Sequence, residues 1–143
     1  MIVPLEHGFL RKKVPGVARL LPVLYNHWYK SECLKLLRRR TKDEVEHAWR
    51  AAVVPNRVSG VVTRTVRDEY CWLPEALFVP ADECFVVFCW WRLALSDGLE
   101  AEVCIVEIER ELEVGIAEEV IRLLPTLKLG DFCRRISNTL VGR

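Results

Sequence analysis

The sequence predicts a mainly α-helical fold, in which an N-terminal helix–turn–helix arm precedes a compact helical bundle. Apolar residues recur at helical spacing over several long stretches, and a capping-box pattern at Thr41 and Glu44 separates the first two helices. The charge is also divided: residues 1–70 hold 14 Lys/Arg and 7 Asp/Glu, whereas residues 71–143 hold 7 and 13. These observations predict a basic helical arm over residues 1–55 and an apolar, acidic body for subunit packing over residues 56–143.

The arm begins with a short basic segment at residues 9–13. A helix is then predicted from Pro15 to about residue 40, because proline suits the first turn of a helix. Pro22 falls inside this stretch and is expected to kink the helix or restart it. Three consecutive arginines at 38–40 would close the helix, where the helix dipole favours cations.

The second helix of the arm is the best-marked element of the chain. Thr41 is placed to cap it and Glu44 to reach back to the cap. A Val-Pro-Asn sequence at residues 54–56 should end it. Its apolar face is spaced at i, i+3, i+4, i+7 and i+8 and consists of Val45, Ala48, Trp49, Ala52 and Val53.

Residues 56–95 are harder to assign. The β-branched residues of 58–66 are compatible with a strand, and Pro74 and Pro80 limit any regular element between them. Residues 81–95 are apolar on all sides and should be buried whatever their conformation. They have high strand propensity, although their acidic beginning resembles a helix start.

Two interpretations compete for residues 97–125. Alternation over 107–114 would make a β-hairpin with residues 84–95, giving an α+β fold with a hairpin at about 84–114. Against this, Asp97 and Glu100 fit a capping box, and apolar residues fall three or four apart over the following 22 positions. The helix explains more residues and is preferred. Pro125 would end it, and a last short helix is predicted at 132–140.

The six cysteines include no CxxC pair and no Cys/His cluster with zinc-finger spacing, so no metal site and no cofactor is expected. Buried free thiols are the simplest interpretation, and intracellular disulfides are the alternative for a hyperthermophilic source.

The longest apolar run, residues 84–95, contains Arg92 and is too short to span a membrane, and no signal peptide is visible. The chain has no Gln and only three Asn, which is typical either of a hyperthermophile or of a GC-rich genome.

A basic excess in one half of a chain is a usual mark of polyanion binding. Phosphate contacts need cations that are spread along an element. Aromatic residues at positions 25, 28 and 29 lie between these cations, and their spacing favours core packing over base stacking. The candidate nucleic-acid-binding residues are Arg11, Lys12, Lys13, Arg19, Lys30, Lys35, Arg38, Arg39, Arg40, Lys42 and Arg50.

The signals for an enzyme are weaker. Arg40 and His47 match the R-x4–6-H pattern, in which the chain resembles the HEPN-type ribonucleases, and this resemblance implies a small helical ribonuclease or a nucleic-acid-binding defence protein. No nucleophile elbow, Walker loop or GxGxxG fingerprint is present. No catalytic residues are therefore assigned, and a non-enzymatic role is preferred.

A basic helix–turn–helix segment at residues 14–54, an apolar body at 81–124 and a thermophile-like composition together resemble the coat proteins of filamentous viruses of hyperthermophilic archaea. That resemblance implies helical subunits that wrap linear double-stranded DNA in A-form, with the basic residues of the arm bound to phosphates. It also implies a protein located in the virion after assembly in the host cytoplasm. Its partners would be nucleic acid, with double-stranded DNA favoured over RNA, and copies of itself or a paralogous subunit.

The aromatic content of residues 84–95 leads to an expectation about assembly. This stretch contains Phe85, Phe88, Trp90 and Trp91, and one small body has few elements with which to cover it. Burial of these rings between subunits would avoid a large cost of exposure. The opposite charges of the two halves also favour a head-to-tail contact, so a filament on nucleic acid is expected.

Overall fold

The structure is a computed structural model that describes residues 2–93 and 99–141. Within them the predicted mainly α fold is confirmed: eight α-helices and two short 3-10 turns are present, and no strand is formed. The 3-10 turns are Ala18–Leu20 and Leu124–Thr126. The helices are α1 (His7–Lys13), α2 (Pro22–Arg38), α3 (Lys42–Ala51), α4 (Asn56–Glu69), α5 (Cys84–Val87), α6 (Leu99–Leu112), α7 (Glu118–Leu123) and α8 (Leu129–Val141).

The first long helix begins at Pro22, so the prediction that it begins at Pro15 is wrong. Pro22 occupies the first turn of α2, where a missing backbone N–H costs nothing. Inside a longer helix the same residue would have removed a hydrogen bond and clashed with the preceding turn. The basic lead-in forms a separate helix, α1, whose last turn carries three cations.

The predicted capping box is confirmed at the start of α3. Thr41 Oγ1 accepts a hydrogen bond from the Glu44 backbone N–H at 3.2 Å, and the Glu44 carboxylate accepts one from the Thr41 N–H at 3.3 Å. Val45 and Trp49 of the predicted apolar face are buried, but Val53 is 84% exposed. The helix ends at Ala51, and Val53 has a positive φ of 56°, which turns its side chain away from the core.

The possible strand at residues 58–66 is helical, as part of α4. Val58, Val62 and Val66 recur every four residues and are all buried, on the side of α4 that packs against α6 and α8. Tertiary packing of this face outweighs the strand propensity of its β-branched residues.

The hairpin interpretation of residues 84–114 is wrong, because residues 107–112 belong to α6. The preferred single helix up to residue 123 is also corrected, since it is interrupted between α6 and α7. Glu113 has a positive φ of 53°, and the Glu109 carboxylate accepts a hydrogen bond from the Ile116 N–H at 2.9 Å beyond the break. The predicted capping role of Asp97 and the predicted turn at 96–98 lie outside the described residues.

The aromatic side chains of residues 84–93 are buried or half-buried by other residues of the same chain. Phe88 and Trp91 are 2% and 3% exposed, and Phe85 and Trp90 are half-buried. The Trp91 indole N–H donates to the Val86 carbonyl at 2.9 Å, so the ring is buried with its polar atom satisfied. The expectation that these rings need a second subunit for burial is therefore wrong.

One buried core extends across both halves of the chain. It includes Leu10 and Tyr29 from the first half and Ile108 and Phe132 from the second. The predicted boundary at residue 55 falls between α3 and α4, where the chain leaves one helix of this core and enters the next. None of the described helices has the length and apolar character needed to cross a bilayer.

Candidate nucleic-acid interface

Nine of the eleven predicted binding cations are exposed. Lys30 is half-buried, and Arg40 is buried. Among the described residues, the structure gives an ion pair to only two of the eleven: Lys35 pairs with Glu32, and Arg40 pairs with Asp82. The exposed members are Arg11, Lys12, Lys13, Arg19, Lys35, Arg38, Arg39, Lys42 and Arg50.

Arg40 is a core residue. Its side chain is 1% exposed, and both terminal nitrogens donate to the Asp82 carboxylate at 2.7 Å. The same nitrogens also donate to the carbonyls of Leu77 and Val3, each at 2.9 Å. The predicted phosphate contact from Arg40 is therefore incompatible with this fold.

The Arg40–His47 pattern of a HEPN-type ribonuclease does not form an exposed pair. Arg40 is held by Asp82 in the core, whereas the His47 side chain is exposed on α3. An Arg that binds an RNA phosphate must reach the surface. Here Arg40 is buried and only His47 is exposed, so the two residues do not form the site that their spacing indicates.

The cations of α1 and the first 3-10 turn form one group. The Arg19 guanidinium donates to the Arg11 carbonyl at 2.8 Å, which brings the turn next to the end of α1. Two titratable neighbours respond to this positive charge. Burial and then Arg11 lower the pKa of His7, whereas burial raises the pKa of Tyr25 against the opposing effect of Arg11 and Arg19.

A second group lines an open groove of about 420 Å³ beside α2. We call it the α2 groove. The cations Lys30, Arg38 and Arg92 line it together with His27, and no acidic side chain of residues 2–93 or 99–141 does. The remaining lining residues are Asn26, Ser31, Leu34 and Trp91.

Helical periodicity explains this convergence. His27, Lys30, Leu34 and Arg38 lie at i, i+3, i+7 and i+11 and therefore share one stripe of α2. A rise of 1.5 Å per residue separates Lys30 and Arg38 by about 12 Å along the axis. Both cations were predicted binding residues, but their position on one stripe of α2 was not predicted.

Arg92 is the groove residue that the sequence analysis missed. It pairs with Glu100, and its guanidinium lies 5.6 Å from the centre of the Tyr70 ring. Its Nε is buried and has no hydrogen-bond partner among the described residues. The signal that could have identified it is a lone cation within an otherwise apolar run of twelve residues.

The base of the α2 groove is fixed by polar and aromatic contacts. The Asn26 side-chain amide donates to the Leu93 carbonyl at 3.1 Å and accepts from the Leu93 N–H at 2.9 Å. Trp91 stacks on Tyr29, with ring centroids 4.3 Å apart. The aromatic rings at positions 25 and 29 are thus part of the core, as their spacing favoured, while Trp28 is 40% exposed.

Lys42 and Arg50 line a different groove, between α3 and α4. It also contains Glu46 and the polar side chains of Asn56 and Ser59. Because an acid lies between the two cations, this groove is less favourable for a polyanion than the α2 groove is.

All six cysteines are free thiols, and five of them are buried. Burial raises the pKa of Cys89, Cys104 and Cys133 to about 12, and it also raises the pKa of Cys33 and Cys84. The described residues contain no cluster of His, Cys, Asp and Glu that could hold a metal ion.

We expect a large difference in thiol reactivity. In the native protein at pH 8, Cys71 should react with iodoacetamide at least tenfold faster than any of the five buried thiols, because the attacking species is an accessible thiolate. Mass spectrometry after timed alkylation measures the order. If Cys71 were alkylated slowly while one of the buried thiols was alkylated rapidly, this burial pattern would be contradicted.

No known protein family matches the chain, and no curated protein or solved structure is significantly similar to it.

Proposed function

We propose that this protein binds nucleic acid without sequence preference and packages it, and that the α2 groove makes the central phosphate contacts. The observation that carries the proposal is the convergence of Lys30, Arg38 and Arg92 on one groove that none of the described acidic side chains lines. Arg92 is paired with Glu100, whereas Lys30 and Arg38 form no ion pair within the described residues, so their charge remains available to an anionic ligand.

The side chains that line the α2 groove are suited to the phosphate backbone of a nucleic acid and not to its bases. Arg38 is exposed and offers a planar guanidinium that binds two phosphate oxygens at once, whereas Lys30 offers a point charge. The span of about 12 Å between them along the helix is several times the rise of about 3.4 Å per phosphate along one strand of duplex DNA, so they would bind phosphates that are not adjacent.

The exposed cations of α1 and its following turn extend the positive surface beyond the groove. Ser31 and His27 add hydrogen-bonding groups without adding base specificity. Double-stranded DNA is the favoured ligand, and the packaging role is that of a coat protein in a filamentous virion. The charge division along the chain and the resemblance to archaeal filamentous virus coat proteins support this role.

A salt titration tests the proposal. Fluorescence anisotropy with a labelled 20-base-pair duplex should give a log–log slope of affinity against salt of about −2 to −3 for two to three neutralised phosphates, and a steeper slope if α1 also contributes. Two duplexes of scrambled sequence should bind within about threefold of each other. Single-stranded DNA and duplex RNA of equal length identify the preferred polymer. A salt-independent affinity, or a preference above tenfold for one sequence, would refute non-specific backbone binding.

A further inference from the structure

Two of the apolar surfaces that the described residues leave exposed differ in their charged surroundings. The first lies where the 3-10 turn enters α2 and comprises six apolar side chains within twelve residues. Leu20 is 80% exposed and Val23 is 74% exposed, which is unusual for side chains of this size. We call this surface the leading face; its members are Val17, Leu20, Leu21, Val23, Leu24 and Trp28.

The second apolar surface is a groove of about 330 Å³ between α6 and α7. Val106 and Ile121 are exposed at its edges, and the side chains of Trp90, Ile105 and Leu124 line it. We call it the α6–α7 groove. Its dimensions suit one or two large aliphatic or aromatic side chains of a partner.

The surroundings of the two surfaces carry opposite charge. Residues 9–31 contain five Lys/Arg and no Asp/Glu, whereas residues 99–121 contain eight Asp/Glu and one Arg. Glu102 and Glu109 line the α6–α7 groove itself. Within the described residues no ion pair is formed by Glu102, Glu118 or Glu119, so these carboxylates are available to a basic partner.

We infer that the leading face of one copy docks into the α6–α7 groove of a second copy. Apolar contact between the surfaces supplies the attraction, and the basic surroundings of one face meet the acidic rim of the other, which fixes orientation. Because the two surfaces differ, the contact is head-to-tail and leaves a free face at each end of a dimer. Repetition of the same contact builds a filament or a ring.

The contact is compatible with an occupied α2 groove. Leu24 and Trp28 lie about 100° around the helix axis from Lys30 and Arg38, given 3.6 residues per turn. Val23 shares the stripe of these cations but lies seven residues, or about 10 Å, before Lys30 along the axis. The subunit would therefore contact the first turn and one side of α2, and the later turns of the cation stripe would stay free to bind nucleic acid. The inference deepens the proposed packaging function and depends on it for its biological meaning, but the test below needs no nucleic acid.

A pair of variants with one defective face each provides the test. Leu24→Asp places a carboxylate on the leading face, opposite the acidic rim, and Val106→Lys places a cation in the groove, opposite basic residues. Val53→Asp is the matched control, because Val53 is highly exposed outside both surfaces and its positive φ of 56° is tolerated by Asp. Sedimentation velocity without nucleic acid measures association from 1 to 100 µM.

The wild type and Val53→Asp should associate with rising concentration, and each defective variant alone should associate at least tenfold more weakly. An equimolar mixture of Leu24→Asp and Val106→Lys should form a dimer that grows no further, because each variant keeps the face that the other has lost. Recovery in the mixture also shows that both variants are folded. Trp28→Glu and Ile121→Lys provide a second pair on the same surfaces.

Three results would overturn the inference: a wild type that remains monomeric at 100 µM, a Val106→Lys variant that associates as the wild type does, or a mixture that fails to dimerise when both variants are folded by circular dichroism. Anisotropy with a short duplex separates this outcome from failure of the proposed function, since a monomeric variant with an intact α2 groove should still bind one duplex at low salt.

Discussion

Replacement of Asp82 by alanine is expected to lower the free energy of unfolding by about 3–5 kcal/mol, the cost typical of removing one partner from a buried ion pair. The Asp82 side chain is fully buried, and its two oxygens accept hydrogen bonds from Arg40 and from the backbone N–H groups of Leu5 and Val79. The variant leaves the Arg40 charge uncompensated in the core and removes the acceptor for both N–H groups. Urea denaturation followed by far-UV circular dichroism measures the loss.

Two further variants show that the effect comes from the uncompensated charge. Arg40→Met/Asp82→Asn removes both charges and keeps an amide oxygen for a backbone donor, so it should be more stable than Asp82→Ala alone. Arg110→Ala breaks an exposed ion pair with Glu107 and should leave the unfolding midpoint nearly unchanged. A loss below about 1 kcal/mol for Asp82→Ala would show that the Arg40–Asp82 pair does not stabilise the fold as its geometry indicates.

Local sequence signals predicted the elements whose ends depend on nearby residues. Thr41 and Glu44 are three positions apart and satisfy each other, so the start of α3 could be identified from four residues. To predict the start of α2, one had to choose between Pro15 and Pro22. Pro22 is the one at which the missing N–H coincides with the first turn of the helix.

The role of Arg40 depends on a contact across 42 positions, which no local pattern reveals. Three consecutive arginines at the end of a helix are typical of a solvated surface, and Arg38 and Arg39 are indeed exposed. Arg40 differs only because Asp82 and the carbonyls of Val3 and Leu77 come together around it. The same limit applies to Arg92, whose place beside Lys30 and Arg38 is set by tertiary packing.

The aromatic run that begins at Cys84 illustrates a different limit. An all-round apolar segment indicates burial but does not indicate what covers it. In this fold Phe88 lies against Phe132 of α8 and Tyr70 at the end of α4, with ring centroids 6.0 and 5.9 Å apart. Several apolar residues that do remain exposed are in the leading face, away from this run.

Loss of the two α2 cations should weaken nucleic-acid binding in a characteristic way. Lys30→Gln/Arg38→Gln removes two charges from the α2 groove and keeps a polar, unbranched side chain at each position. The log–log salt slope should become shallower by about 2, and affinity at low salt should fall by a similar factor for every duplex sequence. Salt titrations by fluorescence anisotropy, with the same labelled duplexes as for the wild type, measure both quantities.

The matched control is Lys128→Gln/Arg135→Gln, which removes one Lys and one Arg that are exposed in the second half of the chain. Both double variants change the net charge by the same amount, so a purely long-range effect of charge would weaken binding equally. The proposal requires the α2 variant to lose much more, because its cations share a groove that is lined by no acid in the part of the chain that the structure describes. Lys30 also lies 5.5 Å from the centre of the Trp72 ring, so urea unfolding must show that its replacement leaves most molecules folded. Equal losses in two folded variants would mean that nucleic acid responds to overall charge and that the α2 groove is not its binding site.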